Sequence, residues 1–169
     1  MNKKAAAVVL FCAGLASSLL AHAEEPKKLA FVDTGNTGRS VMAEAIADQL
    51  IAKNHAHVAI ISRAVDLDPY DVKPEANGVI LMRRRGVDTS AHRSVQLSSN
   101  DVRHSDVILT MTAKHKAKVI ELFPEAADKT FTLTEYTSGT SEDIPDAWGK
   151  PLPFYGMSSS NWTGSFQMP

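Results

Sequence analysis

Four short apolar runs punctuate the chain, and the stretches between them return their apolar positions at helical spacing. Leu29-Ala30-Phe31-Val32 is a continuous apolar run that ends in a turn with two glycines, Thr34 to Gly38, and it predicts a buried strand. Ser40 then precedes Val41 to Ile51, where Met42, Ile46 and Leu50 recur every fourth residue, so an amphipathic helix is expected. His57 to Ile61 reads as a second strand, and Pro74 to Arg85 as a helix stopped by Gly86. Asp106 to Thr110 predicts a third strand, Lys114 to Phe123 a helix ended by Pro124, and Thr130 to Leu133 a fourth strand. Strands alternating with helices call for an α/β fold. The expected architecture is a doubly wound, four-stranded parallel sheet with helices on both faces. No repeat or low-complexity segment interrupts the pattern, so residues 24–169 are read as one domain.

The first 23 residues have a different character. Lys3 and Lys4 open a basic start, an apolar run follows from Ala5 to Leu20, and Ala21-His22-Ala23 offers a small-x-small cleavage pattern. Residues 1–23 therefore read as a signal peptide cleaved before Glu24. The apolar run falls short of the roughly 20 residues a spanning helix needs, so no stable membrane anchor is expected after cleavage. The predicted destination lies across the inner membrane, in the periplasm or outside the cell. Removing the leader removes Cys12, the single cysteine, so the exported chain would carry no thiol. That excludes an intrachain disulfide and a Cys-rich zinc site. The full chain has 169 residues, 44% of them hydrophobic, and a formal net charge of −1. Such a balance makes no electrostatic case for nucleic-acid binding.

In an open parallel sheet, ligands bind beyond the carboxyl ends of the strands. The first such place is Asp33-Thr34-Gly35-Asn36-Thr37-Gly38-Arg39-Ser40, which runs from strand to helix. Its glycines permit a tight ring of backbone N–H groups, and the next helix adds its positive end, so the segment suits an anion. Arg39 adds a planar fork that matches a tetrahedral oxyanion. The same spacing also suits an ordinary strand-to-helix turn. A Walker loop and a dinucleotide fingerprint are both absent. His55 and His57 have the spacing of a two-ligand metal pair, but exposed histidines at a strand edge are the commoner arrangement; no metal or cofactor is expected. His104 and His115 have no partner visible in the sequence. Arg83-Arg84-Arg85 reads as a solvated helix end, or as a basic patch for an acidic partner.

Phe31 to Ser40 resembles the phosphate loop of the low-molecular-weight protein tyrosine phosphatases, Cys-x-Gly-Asn-x-Cys-Arg-Ser, and Met42-Ala43-Glu44-Ala45 follows it as often happens in that family. The likeness continues in family order. Ser62-Arg63-Ala64 is similar to Ser-Gly-Ala, and Gly86 to Arg93 to Gly-Ile-Asp-x-Ser-x-His-Arg. Asp106 to Lys116 resembles Asp-x-Ile-x-x-Met-x-x-x-His-Lys, and Asp143 to Gly149 resembles Asp-Ile-Pro-Asp-Pro-Phe-Gly. The resemblance, which runs from Leu29 to about Tyr155, implies the phosphotyrosine protein phosphatase I-like fold. It also implies a site: Arg39 as the phosphoryl clamp, Asp146 as the general acid, and Thr34, Gly35, Asn36, Thr37, Gly38 and Ser40 lining the loop. Asn36 and His92 would share a loop-ordering hydrogen bond, and the Ser40 hydroxyl would steady the nucleophile. Tyr70 falls where the family often places an aromatic beside the cleft, and Trp148 lies next to the inherited acid; each residue suits simple packing as well as a wall for an aromatic ligand.

The departures are chemical. The nucleophile's position holds Asp33, and the second loop cysteine is Gly38. A carboxylate attacks phosphorus effectively only where its charge is screened, usually by Mg²⁺, and the place two residues on that would carry a second metal-binding Asp is Gly35. Asp33 is therefore expected to supply the site's own anion. The expected protein is a pseudophosphatase or a binding module for a phosphate-like oxyanion or a phosphorylated or acidic ligand. The alternatives are an active phosphohydrolase using Asp33 in an unusual role, and a degenerate copy without function. The tail departs as well. Where the family runs a long helix, residues 156–169 hold Ser158-Ser159-Ser160, two glycines and Pro169, enough for at most a short helix between Ser160 and Phe166. A short or missing C-terminal helix would leave apolar sheet surface open, and a homodimer through it is expected.

Overall fold

The computed structural model describes residues 25–155. The predicted signal peptide and the predicted short helix at 160–166 lie outside the described residues. Four strands, β1 (Lys27–Asp33), β2 (Val58–Ala64), β3 (Val107–Thr110) and β4 (Thr130–Thr132), form one sheet in the order β2-β1-β3-β4. Every pairing is parallel, with Asp33 opposite Ala64 and Val32 opposite Thr110. The order reverses between β1 and β3, so the crevice at their carboxyl ends opens directly above Asp33.

Among the described residues, helices α1 (Arg39–Asn54), α2 (Ala76–Arg84), α3 (Ser99–His104), α4 (Ala113–Leu122) and α5 (Leu133–Ser138) accompany the sheet, with a 3-10 helix at Pro124–Lys129. Side-chain alternation along β1 and β3 divides the core into two layers. Phe31 and Leu109 point to the face covered by Met42, Ile46 and Met82 from α1 and α2. Ala30, Val32 and Ile108 point to the other face, against Val102 of α3 and Val119 of α4. Burying a large apolar side chain contributes about 1.5–3 kcal/mol, which fixes the register of both layers.

The doubly wound architecture matches the hydrophobic pattern, and the differences are local. Strand β2 runs on to Ala64 instead of ending at Ile61, because the apolar pattern fades before the pairing with β1 does. Helix α2 begins at Ala76: Glu75 is extended (φ −64°, ψ 134°), as its place at the helix cap requires. Gly86, with φ 82°, does stop the chain after α2. Helix α1 ends at His55, which adopts the left-handed conformation (φ 52°) and donates its N–H to Ile51 O. Helices α3 and α5 are absent from the pattern reading. Each opens on a capping box, Ser98 with Asp101 and Thr132 with Glu135.

Ala30, Phe31, Val32, Ile108 and Leu109 are all buried, and Tyr155 completes the layer over Phe31. The open sheet surface expected from a short tail is therefore not present at the central strands.

Candidate functional site

Strand β1 delivers Asp33 to the carboxyl edge of the sheet, buried at 3% exposure. The chain then folds back over it. Asn36 takes a left-handed conformation (φ 56°), which brings its own N–H onto Asp33 Oδ1 at 2.6 Å. The first turn of α1 brings the Ser40 N–H onto Oδ2 at 2.8 Å. Both carboxylate oxygens are thus held by backbone donors, one in the turn and one at the positive end of a helix. Loop residues and α1 form a nest, and the nest is filled by a side chain of its own.

Asn36 is the structural hub. Completely buried, it uses all of its side-chain hydrogen-bonding capacity. Its Nδ2 donates to Ser40 Oγ and to Ser62 Oγ, each at 2.9 Å. Its Oδ1 accepts the Val95 N–H at 3.0 Å and lies 3.2 Å from His92 Nε2. Its carbonyl oxygen accepts Ser94 Oγ at 2.7 Å and is 3.1 Å from the same His92 nitrogen. Both atoms facing His92 Nε2 are acceptors, so that nitrogen carries a proton. Ser62 in turn donates to Glu44 Oε2. The sequence singled out Asn36 and His92 as partners. It did not assign Ser62, Ser94 or Glu44, although Ser62 and Glu44 stand in segments that carried the resemblance.

Arg39 and Asp146 meet across the cleft. Arg39 Nη2 lies 2.8 Å from Asp146 Oδ2, and Nη1 donates to the Ile144 carbonyl at 3.1 Å. The guanidinium, expected to await an oxyanion, is instead tied to the loop that carries the inherited acid. That loop is anchored in turn: Ile144 N donates to Met111 O, and Asp143 Oδ1 accepts the Ala113 N–H. Ser40 also differs from expectation. Its hydroxyl accepts from Asn36, and its contact with Asp33 runs through the backbone.

His115 does have a partner. Its Nε2 lies 2.8 Å from Thr34 Oγ1, which fixes the first residue of the loop. Burial pushes the imidazole below its ordinary value and the Arg39 charge adds to this, while the carboxylates of Asp33, Asp146 and Asp143 oppose it. His55 serves as the left-handed end of α1. Arg83 at the end of α2 pairs with Asp88, whose carboxyl is lowered to about 2 by the Ser90 N–H and hydroxyl and by Arg83. His104 Nδ1 lies 2.8 Å from the carbonyl oxygen of Asn100 in its own helix.

Above the loop lies a cleft of about 270 Å³, whose walls include Thr34, Gly35, Thr37 and Gly38. Trp148, 62% exposed, forms part of the wall; Tyr70, at 97% exposure, does not. Three further aspartates, Asp66, Asp68 and Asp71, stand around the mouth. Nothing in the sequence pattern ties the segment after β2 to the loop. The tie is made by backbone bonds: Val65 N to Asp33 O at 2.9 Å and Asp66 N to Thr34 O at 3.0 Å.

Comparison with known proteins places the fold. The family model for low molecular weight phosphotyrosine protein phosphatase matches residues 28–161. A protein-arginine-phosphatase of Geobacillus stearothermophilus is 37% identical over 130 residues, covering 77% of this chain and 84% of that protein. A low molecular weight protein-tyrosine-phosphatase of Staphylococcus haemolyticus is 34% identical over 129 residues, covering 76% of this chain and 86% of its own. The crystal structure of a low molecular weight protein tyrosine phosphatase from T. tengcongensis superposes with a TM-score of 0.77 at 31% identity, covering 82% of this chain and 94% of the other. The family match over most of the chain, the identities and the shared fold lead to one conclusion: this chain is a member of the low molecular weight phosphotyrosine protein phosphatase family.

Proposed function

We propose that this member is a pseudophosphatase: an exported binding module that keeps the family's cleft and has lost its cysteinyl-phosphate chemistry. One observation carries the reading. The Asp33 carboxylate takes the N–H groups of Asn36 and Ser40, so the charge the nest would offer a phosphoryl group is already answered. A phosphate dianion brought to about 4 Å would meet repulsion of about 4 kcal/mol for each pair of unit charges at an effective dielectric of about 20. Arg39, whose guanidinium is shared with Asp146, offsets only part of this. The oxyanion or phosphorylated ligand expected from the family thus depends on removing the Asp33 charge. The periplasmic or extracellular location rests on the leader at 1–23.

A second reading has its own support. Arg39 and Asp146, the inherited clamp and acid, are both present at the cleft, as an active phosphohydrolase with Asp33 in an unusual role would need. Its substrates would be the phosphorylated arginine or tyrosine side chains for which the relatives are named.

Turnover of an aryl phosphate and of a phosphoarginine peptide by the unmodified protein, with and without Mg²⁺, separates the two. The pseudophosphatase reading expects no turnover above an Arg39→Ala control under either condition. Turnover lost in Asp33→Ala establishes the second.

A further inference from the structure

We propose that His115 is a proton switch beneath the loop: a dianionic oxyanion is held there together with a proton taken from solvent onto the His115 imidazole. The site then keeps its ligand in mild acid and releases it as the pH rises. The inference rests on the pseudophosphatase reading, since it treats the loop as a binding site without turnover. His115 is the third residue of α4 and only 5% exposed. Thr112 caps that helix by accepting the His115 N–H at 3.2 Å, which fixes where the ring stands. The ring Nε2 lies 2.8 Å from Oγ1 of Thr34, the residue that follows Asp33.

The other ring nitrogen, Nδ1, is buried and has no hydrogen-bond partner among the described residues. If Nε2 accepts the Thr34 hydroxyl, Nδ1 carries an unanswered N–H; if Nε2 donates, Nδ1 keeps an unanswered lone pair. No carboxylate or carbonyl therefore accepts from Nδ1 to hold the ring charged. The charge state is left to the field around it.

That field comes from the cleft. Burial and then Arg39 of α1 oppose a proton on the ring, whereas Asp33, Asp146 and Asp143 favour one. The elements packed against α4 add little. Strands β3 and β4 bring only threonine and apolar side chains. In the 3-10 helix, Glu125 and Asp128 are exposed, and Lys129 is turned to the Val102 and Ser105 carbonyls. On α4 itself Lys114 is exposed, Lys116 is paired with Glu135 of α5, and Lys118 with Glu121.

An oxyanion tips this balance. It brings two negative charges to the nest and engages the Arg39 guanidinium, the cation that acts against the proton. The complex therefore favours imidazolium. By linkage, a proton held more tightly in the complex makes the complex tighter as the pH falls. In return, the imidazolium offsets the Asp33 charge that keeps anions out at neutral pH. Thr34 stays in place, because the charged ring still donates Nε2–H to its hydroxyl.

The test is calorimetric titration with sulfate, which stays a dianion where phosphate titrates, at constant ionic strength. The protein should bind sulfate at least about fivefold tighter at pH 5.5 than at pH 7.5. The same change should persist in Asp33→Ala, which excludes Asp33 as the group that takes the proton. Adding His115→Gln should reduce it to about twofold or less. Should that variant fail to fold, the His115 imidazole resonance in the Asp33→Ala protein gives the answer by NMR: it should titrate at a distinctly higher pH with sulfate bound. A pH-independent affinity overturns the proposal, as does no sulfate binding at pH 5.5, a change lost in Asp33→Ala, or an unmoved resonance. A change that survives His115→Gln overturns it too, and assigns the proton to another group such as His92. None of these outcomes bears on turnover. Asp33-dependent hydrolysis of an aryl phosphate sinks the pseudophosphatase reading itself, whatever the sulfate titrations give.

Discussion

The Asp33 carboxylate accepts the Ser40 N–H at 2.8 Å, at the point where the positive end of helix α1 meets the carboxyl end of strand β1. In an anion-binding loop this donor is normally available to the ligand. Its capture by a side chain from the same loop stabilises the loop and closes the site to anions with one contact. The nest should therefore stay formed with no ligand bound.

Neutralising Asp33 should reopen the nest. Asp33→Ala removes the resident charge and frees the N–H groups of Asn36 and Ser40. At about 4 kcal/mol for each pair of like unit charges, the lost repulsion exceeds the 1.4 kcal/mol of a tenfold change. Vanadate or phosphate at pH 7 should bind Asp33→Ala at least about tenfold tighter than the parent. Equal affinities in a calorimetric titration would show that Asp33 does not guard the loop.

Asn36 should be the costliest polar residue of the site to remove. Its side chain bonds Ser40, Ser62, His92 and Val95 in a fully buried setting, and truncation strands several of those partners. Asn36→Ala also places alanine at φ 56°, where a side chain without a local hydrogen bond is disfavoured. A loss of about 2–4 kcal/mol in denaturant unfolding is expected. A loss under about 1 kcal/mol would mean the network adjusts without it.

The hydrophobic pattern was enough to read the central strands β1 and β3, because buried parallel strands are continuous apolar runs. The loop chemistry was legible for a different reason: Gly35, Asn36, Arg39 and Ser40 sit next to one another in the chain. Side chains that meet Asn36 from elsewhere, such as Ser94 and Ser62, were not legible, since no local pattern marks a buried hydroxyl for a distant partner. Thr34 was placed in the loop, yet its bond to His115 spans 81 residues and could not be seen. The acidic rim was hidden likewise: Asp66, Asp68 and Asp71 look like an ordinary solvated segment until Val65 and Asp66 are pinned to the loop. Helices α3 and α5 are each six residues long, too short to display a period, and only their Ser98–Asp101 and Thr132–Glu135 caps signal them.

His115 should make stability fall as the pH is lowered. Burial and the Arg39 charge keep its imidazole below the ordinary value of about 6.5, so the unfolded chain binds a proton before the folded one does. Stability therefore rises with pH through the window below about 6.5 and levels off above it. His115→Gln, which can keep a hydrogen bond to Thr34, should flatten that slope between pH 7.5 and 5.5. Parallel pH profiles for parent and variant would assign the slope to another group.

Restoring a thiol should restore chemistry. Asp33→Cys would place sulfur where Asp33 Oδ1 and Oδ2 now meet the Asn36 and Ser40 N–H groups, at a helix N-terminus and near buried Arg39. Those surroundings lower a thiol pKa and favour the nucleophilic thiolate. Removing the carboxylate also lifts its repulsion of the phosphoryl group, and Arg39 can leave Asp146, which is 58% exposed at its side chain and holds the pair weakly. Asp146 then stands free to protonate the leaving group. Measurable aryl-phosphate hydrolysis is expected in Asp33→Cys, abolished by adding Arg39→Ala and lowered by about 10²-fold or more by adding Asp146→Asn. Asp146→Asn alone should cost no more than about 1 kcal/mol of stability, because the Asp146 side of the pair faces solvent and Asn can keep a hydrogen bond to Arg39. An inactive but folded Asp33→Cys protein would mean that the site has lost more than its nucleophile. If the parent matches the variant in rate, Asp33 is itself the working group and the cleft is an enzyme's.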